Sequence, residues 1–341
     1  MPPAPALSLE VAVERWPIAG TFRISRGAKT EAEVVVASLR QIGQTQNGQT
    51  QNGQIGRGEA VPYKRYGESV EAVVAALQAL VPAVAGGLDR LAVQRVLPPG
   101  AARNALDCAF WDLAAKQAGR PVAELAGLPA PGPVVTAYTL SLDTADAMGR
   151  AARAAGKPIL KLKLGGDGLD LERVRAVHAA APEARLIVDA NEAWGIDDIT
   201  RLGAEMARAG VVLIEQPLPA DRDGALAGLR SPVPLCADES CHTAADLSRL
   251  ATLYSHVNVK LDKTGGLTGA IDLALAARQA GLGLMVGCMV GTSLAMAPAL
   301  LLAGMADFVD LDGPLLLARD RAPGLVYDGA VIQPPPTALW G

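Results

Sequence analysis

The sequence predicts an α/β fold, an eight-stranded parallel β/α barrel preceded by a smaller α+β domain, and three observations predict it. Five apolar runs, ILKLKLG, RLIVDAN, VVLIEQP, PLCADES and VNVKLDK, reach Lys163, Asp189, Glu215, Asp238 and Lys263 at intervals of 26, 26, 23 and 25 residues. That length holds one strand, one helix and two short loops, the unit of a parallel sheet with helical crossovers. The period continues upstream to Thr139, 24 residues before Lys163, and downstream to Cys288 and Asp310, a further 25 and 22 residues, which makes eight strands. Finally, no convincing eighth helix follows Asp312, and the remaining residues carry Pro334, Pro335 and Pro336.

Crossover helices are expected where apolar residues recur on one face, at 169–180, 197–209, 243–252 and 268–280. Before the barrel, residues 7–60 read as three strands, LSLEVAVERWPI, TEAEVVVASLR and QIGRGEAVPY. Between the second and third lies a tandem QTQNG repeat, in which each Asn-Gly suits a tight turn. The loops at 20–30 and 60–69 leave the opposite end of this hairpin, so the repeat lengthens a distal tip. Helices are expected at 70–85 and 89–97. The clearest helix is GAARNALDCAFWDLAAKQAGRP, with Leu106, Phe110 and Leu113 on one face and Gly119 and Pro121 at its end. PAPGPV at 129–134 reads as a linker. The expected organisation is a capping domain at 1–130, a barrel at 131–313, and a tail from about 314 to 341 that packs back on the cap.

A formal charge of −4 and a pI near 5.5 give no basic footprint for nucleic acid or an anionic membrane. Cys108, Cys236, Cys241 and Cys288 lack paired spacing, and His178, His242 and His256 are too dispersed for a zinc site. A reduced, cytosolic protein is the simpler expectation. MPPAPALSLE lacks the basic and apolar regions of a signal peptide, and residues 1–6 are expected to fray. Residues 280–306 carry no charge over 27 positions, but five glycines and Pro298 interrupt them, and they fall in register with the seventh strand. They are read as a barrel element. A homo-oligomer is compatible with the sequence and not fixed by it.

In a β/α barrel the C-terminal strand ends carry the chemistry, because their loops vary without disturbing the packed interior. Asp189, Glu215 and Asp238 end three consecutive runs and suit a hard cation such as Mg2+, which takes oxygen ligands. Singly, each would read as a loop or helix cap. Three in register between lysines point to a metal. Lys161 and Lys163 share one strand face while Leu160, Leu162 and Leu164 take the other. A lysine beside a cation and a second lysine should have a lowered pKa, as a base near neutral pH requires. Lys263 stands across the mouth from Lys163, and a base on each side of one carbon is what inversion needs. Lys260, offset by three, is read as facing away. Asp310 and Asp312 share a strand face as a seat for an ammonium group. Gly265 and Gly266 are weak evidence of an anion nest.

KLKLG, VDANEAW, EQPL, ADES and KLDKTGG, in this order, resemble the muconate-lactonizing branch of the enolase superfamily. FRISRGAKTEAEVVV, PYKRYGES, GAARNALDCAFWDLAA, CADESCHT, VNVKLDKTGGLT and DLDGP resemble bacterial L-Ala-D/L-Glu epimerases over nearly the whole chain, the QTQNG repeat being the main departure. The resemblance implies a (β/α)7β modified TIM barrel under an N-terminal α+β cap. It implies Lys163 and Lys263 as acid/base catalysts and Lys161 as an assistant beside the substrate carboxylate. Asp189, Glu215 and Asp238 would be the Mg2+ ligands, and Asp310 and Asp312 would hold a dipeptide's ammonium group. Thr139 and the backbone at Cys288, Met289 and Val290 would be further substrate contacts. Arg26 resembles the residue that receives the substrate's glutamate side chain, with Arg23 and Lys29 as alternatives. The implied reaction is Mg2+-dependent inversion of the C-terminal residue of a dipeptide, in cytoplasmic recycling of cell-wall peptides.

Alternatives are cycloisomerisation or o-succinylbenzoate synthesis, whose substrates lack an ammonium group for Asp310 and Asp312. A Schiff-base aldolase using Lys163 and a catalytically silent dipeptide-binding protein complete the set.

Overall fold

A continuous apolar run marks a strand covered on both sides, and EVVVASL is such a run. The computed structural model describes residues 7–42, 45–46, 49–50 and 53–341. Strands Leu7–Ile24 (β1), Gly27–Gln41 (β2) and Ile55–Ala60 (β3) form an antiparallel sheet with β2 at its centre. Val35, Ala37 and Leu39 face a core shared with Leu106, Phe110 and Leu113 of the helix Ala101–Ala118, whereas Val34 and Val36 face the barrel. That helix is buried nearly all round, its Cys108, Trp111 and Ala115 packing towards the barrel. The connections 25–26 and 42–54 leave opposite ends of β2. Within the second, Thr45–Gln46 and Gln49–Thr50 pair antiparallel. The expected Asn-Gly turns of the repeat and the expected fraying of residues 1–6 fall outside the described residues.

Eight parallel strands follow in sequence order: Tyr138–Leu140 (β4), Ile159–Lys163 (β5), Arg185–Asp189 (β6), Val211–Glu215 (β7), Leu235–Ala237 (β8), His256–Val259 (β9), Gly283–Gly287 (β10) and Phe308–Asp310 (β11). Ala137 N donates to Val309 O at 2.8 Å, bringing the first strand edge to the last. Ala137, Ile187, Leu213, Cys236, Met285 and Phe308 fill the interior as one cluster. The alternate residues, such as Leu160, Leu162, Val188, Ile214, Val257 and Val259, join the outer core under the helices. Two positions beyond each interior residue the same face emerges at the mouth, so Ile187, Leu213 and Cys236 lead to Asp189, Glu215 and Asp238. This is the modified TIM barrel with an α+β cap that the resemblance implies.

Helices Asp170–Ala180, Ile196–Arg208 and Leu267–Gln279 agree with the expected spans to within a residue or so. Three expectations fail. The span 70–85 is two helices, Val70–Gln78 and Val81–Ala85, because Pro82 has no amide to donate within one continuous helix. Between β7 and β8 there is only a 3-10 turn, Asp223–Leu226, in a segment punctuated by Pro217, Pro219, Pro232 and Pro234. The expected helix 243–252 is likewise reduced to a 3-10 turn and the four residues Leu247–Leu250.

Beyond β11 the chain makes a four-residue helix, Gly313–Leu316, and then returns along the cap. Leu317 bridges Ile18 of β1, and Ala318 N donates to Pro17 O. Further on, Trp340 Nε1 donates to Cys108 O and Gly341 N to Asp112 Oδ1. Val331 and Ile332 pair with Val135 and Val134, so the linker and the tail share a small sheet. No helix among the described residues is long and apolar enough to cross a membrane, and 280–306 forms β10, the helix Ser293–Ala299 and a 3-10 turn.

Leu162 is fully buried between the two lysines of β5. Leu162→Ala is expected to cost about 2–5 kcal/mol through lost burial and the cavity left behind. Urea denaturation measures this, and a loss below about 1 kcal/mol would mean that the strand's outer face is not packed as described.

Candidate active site

Strand register brings the charges together. Lys163 pairs with Asp189 across β5 and β6, and Glu215 pairs with Asp189 and Cys236 across β7, β6 and β8. Above them a cavity of about 890 Å³ opens between barrel mouth and cap. Arg26, Thr139, Lys161, Lys163, Asp238, Lys260, Cys288, Met289, Val290, Asp310 and Asp312 all line it. Asp189, Glu215 and Lys263 lie beneath its surface.

Lys161 Nζ stands 2.6 Å from Glu215 Oε2, 2.8 Å from Asp310 Oδ2 and 3.5 Å from Asp189 Oδ2. Lys163 Nζ contacts Asp189 Oδ2 at 2.6 Å. The inward parity expected for Lys161 and Lys163 is therefore what the strand adopts. Burial works against the Lys161 ammonium, yet Asp310, Glu215 and Asp189 together hold its pKa well above the ordinary value. Burial likewise works against ionising Asp189, and Lys163 and Lys161 reverse that to hold it below the usual carboxylate range. Glu215 is pushed up, first by burial and then by Asp189.

The sixth strand corrects the sequence reading. β9 ends at Val259, Lys260 remains extended, and the chain then turns into the short helix Leu261–Thr264. Lys263 therefore sits on a helical turn, and its Nζ is enclosed by Asp238 O at 2.6 Å, Asp238 Oδ1 at 2.6 Å and Asn258 O at 2.9 Å. It is 1 % exposed and does not line the cavity. Lys260 instead continues the inward face of β9 from Asn258, lines the cavity, and places Nζ 2.7 Å from Asp238 Oδ2. The parity argument failed because it counted from Lys263 as though the chain were still extended. Counting from the apolar residues Val257, Val259 and Leu261 puts Asn258 and Lys260 inside. The pKa of Lys260 is raised, because Asp238 and Glu215 outweigh burial; like that of Lys161, it moves opposite to the expected lowering. Asp238, resisted by burial but flanked by Lys260 and Lys263, is held well below its ordinary value.

Across the mouth, Asp312 Oδ2 accepts from Thr139 N at 2.6 Å, and burial followed by Asp310 raises its pKa to about 7. Asp310 Oδ1 is buried without a hydrogen-bond partner. With Lys161 on Asp310 Oδ2 only, the free Asp310 Oδ1 and the Asp312 carboxyl leave acceptors that suit a further ammonium group. Arg26 Nη1 donates to Asn191 O at 2.6 Å and to Glu192 Oε2 at 3.2 Å, while Nη2 donates to Glu239 Oε1 at 2.6 Å and to Tyr63 OH at 2.9 Å. Burial opposes this guanidinium's charge, but Glu239 holds its pKa above the ordinary value. Lys29 also lines the cavity, whereas Arg23 does not. Glu239, Asn191 and Asn258 are polar groups at the mouth that the sequence reading passed over. Asn191 and Glu192 take positive φ, a local geometry that strand counting does not reveal.

Residues 6–127 match the N-terminal domain of mandelate racemase / muconate lactonizing enzyme, and residues 143–322 match the enolase C-terminal domain-like family. The chain is 46% identical over 323 residues to the L-Ala-D/L-Glu epimerase of Escherichia coli, covering 94% of this chain and 97% of that protein. It is 47% identical over 289 residues to an N-acetyl-D-glutamate racemase of Pseudoalteromonas, covering 84% and 91%. A crystal structure of an enolase family member from Agrobacterium tumefaciens, with bound sodium and L-Ala-L-Glu, superposes with a TM-score of 0.92 at 50% identity, covering 98% and 100%. The dipeptide epimerase of Methylococcus capsulatus, complexed with Mg and L-Arg-D-Lys, superposes at 0.86 with 31% identity, covering 97% of each chain.

Among the described residues no three acidic, thiol or imidazole groups close into a metal-binding cluster, because lysine ammonium groups stand between the carboxylates. The donor set nevertheless fits Mg2+. It is all oxygen, Asp189 and Asp238 each destabilise the Glu215 anion, and Glu215 Oε2 is buried without a hydrogen bond, since Lys161 meets it outside hydrogen-bonding angles. Glu215→Gln, nearly isosteric and one charge poorer, should weaken Mg2+ binding by at least roughly tenfold in calorimetric titration. Unchanged affinity would remove Glu215 from the ligand set.

Proposed function

We propose, from the premise that this chain belongs to the mandelate racemase / muconate lactonizing enzyme family, that it is an isomerase inverting the α-carbon of the C-terminal residue of a dipeptide, L-Ala-D-Glu to L-Ala-L-Glu. One observation carries the reading. Lys163 and Lys260 face one cavity from β5 and β9, four strands apart in a ring of eight, with the Asp310–Asp312 pair on the same rim. Two amines on opposite sides of one carbon permit removal of its proton from one face and return from the other. Lys163 and Lys260 are the catalytic pair in this reading, and Lys263 is a positioning residue that fixes Asp238 through both its carbonyl and its carboxylate.

Asp310 and Asp312 receive the ammonium group, and Thr139 and the backbone at Cys288, Met289 and Val290 line the dipeptide's path. Lys161 sits beside the position of the substrate α-carboxylate. Arg26 offers the side-chain carboxylate a charge already oriented by Glu239 and Glu192. Mg2+, held by Asp189, Glu215 and Asp238, supplies positive charge for the α-carboxylate and hence for the negative charge that grows there as the proton leaves. The domains divide as a cap to about residue 130, a catalytic barrel at 131–313 and a tail from about 314. Resemblance supports a cytoplasmic role in recycling cell-wall peptides.

The Pseudoalteromonas relative favours a second substrate class, glutamate carrying an acetylated amine. Such a substrate brings no cation to Asp310 and Asp312, which is why the free dipeptide is preferred.

Proton NMR in D2O of L-Ala-D-Glu, L-Ala-L-Glu and N-acetyl-D-glutamate, with and without Mg2+, tests the substrate. Mg2+-dependent loss of the glutamate α-proton signal with appearance of the other dipeptide diastereomer is expected. Faster exchange of the acetylated amino acid would favour the second class, and no exchange of any would defeat both. For the bases, Lys163→Ala and Lys260→Ala should each abolish inversion while leaving α-proton exchange in one epimer, a different one for each variant. Lys263→Met should instead slow exchange of both epimers together. Full inversion by Lys260→Ala would restore Lys263 as the candidate base.

A further inference from the structure

The helix Ala101–Ala118 of the cap presents three polar residues from one face to the barrel, all of them buried: Arg103, Asn104 and Asp107. A polar group in such a setting is stable only when hydrogen-bonded, and each of these finds its partner on the single segment 262–268. Asn104 Nδ2 donates to Asp262 Oδ1 at 2.8 Å, an oxygen that also accepts Val61 N at 2.9 Å. Arg103 Nη2 donates to Thr264 O at 2.7 Å and Nε to Gly265 O at 3.2 Å. Asp107 accepts Thr268 N at 2.9 Å and its hydroxyl at 2.6 Å. The turn Leu261–Thr264 that follows Lys260 is thus gripped at both ends by the cap.

The other base is held differently. Loop 164–170 after Lys163 is closed by barrel residues alone: Asp170 accepts Gly165 N and Gly166 N, and Arg173 reaches Asp167, Asp170 and Asp143 O. From the cap, Lys163 meets the ring of Phe22, 5.9 Å from Nζ. The two faces of the reacting carbon therefore have separate mechanical supports.

We infer that Asn104, acting through Asp262, is a positioning residue for the base on the Lys260 side, so that the cap helix sets proton transfer on one face of the substrate and not on the other. The inference rests on the two-base reading proposed above. Asn104 touches neither cavity nor substrate; its influence is on where the backbone at 260–262 places the ammonium group. A displacement of about 1 Å at a reacting group costs up to roughly a hundredfold in rate, so a lost clamp is measurable.

The test compares α-proton exchange of L-Ala-D-Glu and L-Ala-L-Glu in D2O by full-length Asn104→Ala and wild-type protein at saturating Mg2+. The epimer handled by Lys260 is the one whose exchange survives in Lys163→Ala. For that epimer the exchange rate is expected to fall about tenfold or more in Asn104→Ala, with the other epimer within about twofold of wild type. Asn104→Gln, which keeps the amide donor on a longer side chain, should recover part of the lost rate. In parallel, backbone hydrogen exchange at 260–266 should quicken in Asn104→Ala, a readout that needs no turnover. If Asn104→Ala fails to fold, the same comparison is made with Asn104→Leu, which is nearly isosteric, lacks the amide donor and leaves Asp262 Oδ1 to accept Val61 N.

Equal slowing of both epimers in Asn104→Ala, or no slowing, would overturn the positioning role while leaving the two-base reading intact. Wild-type protein that exchanges neither epimer would overturn the reading itself, and the inference with it.

Discussion

Six carboxylates and four lysines share the mouth of one barrel, and nearly all of that charge is hidden from water: Asp189, Glu215, Asp238, Glu239, Asp310 and Asp312 against Lys161, Lys163, Lys260 and Lys263. An isolated ion in such a place would be prohibitively costly, so the lysines lie against carboxylates, Glu239 meets Arg26, and Asp312, with no cation among the described residues at contact distance, is pushed towards its neutral form. This constraint shapes what surrounds it. It fixes strand register, since a slip of one residue would turn Asp189 outward and leave Lys163 unpaired. It also explains the apolar composition of the outer strand faces, where Leu160, Leu162, Val188 and Ile214 provide the burial that offsets the desolvation below.

How much of this was legible in the sequence depends on how far the chain stays regular. Parallel barrel strands recur at a set length and are covered on both sides, so the period from Thr139 to Asp310 stood out. Lys161 and Lys163 were readable because β5 remains extended through both. Lys260 and Lys263 were misread because Leu261 begins a helical turn, and a parity rule says nothing once the backbone leaves the strand. The inward position of Lys260 follows from the alternation of Val257, Val259 and Leu261 with Asn258 and Lys260. The missing crossover helix after Glu215 was hidden by spacing alone, although four prolines in the segment argued against it. Glu239 and Asn191 could not have been found by counting, since their roles come from Arg26 arriving from the cap.

The Arg26 contacts also show how the two domains divide labour. The barrel carries the charged ring, and the cap loop brings one guanidinium whose position is decided by barrel residues Glu239, Glu192 and Asn191. Solved structures of the same architecture hold L-Ala-L-Glu in one case and L-Arg-D-Lys in another, ligands of opposite side-chain charge.

Gly265 and Gly266 are weak evidence of an anion nest in the sequence, and the structure gives them another meaning. A methyl group on Gly265 would lie 2.2 Å from Arg103 Nε, and one on Gly266 would lie 2.5 Å from Asp107 Oδ2, at φ values of 75° and 104°. The pair is a seam between domains, kept bare so that two charged side chains from another part of the chain can lie flat against the backbone. Four residues separated by some 160 positions thus form one heritable unit. A cap borrowed from a distant relative without this arginine and aspartate would leave two glycines facing nothing.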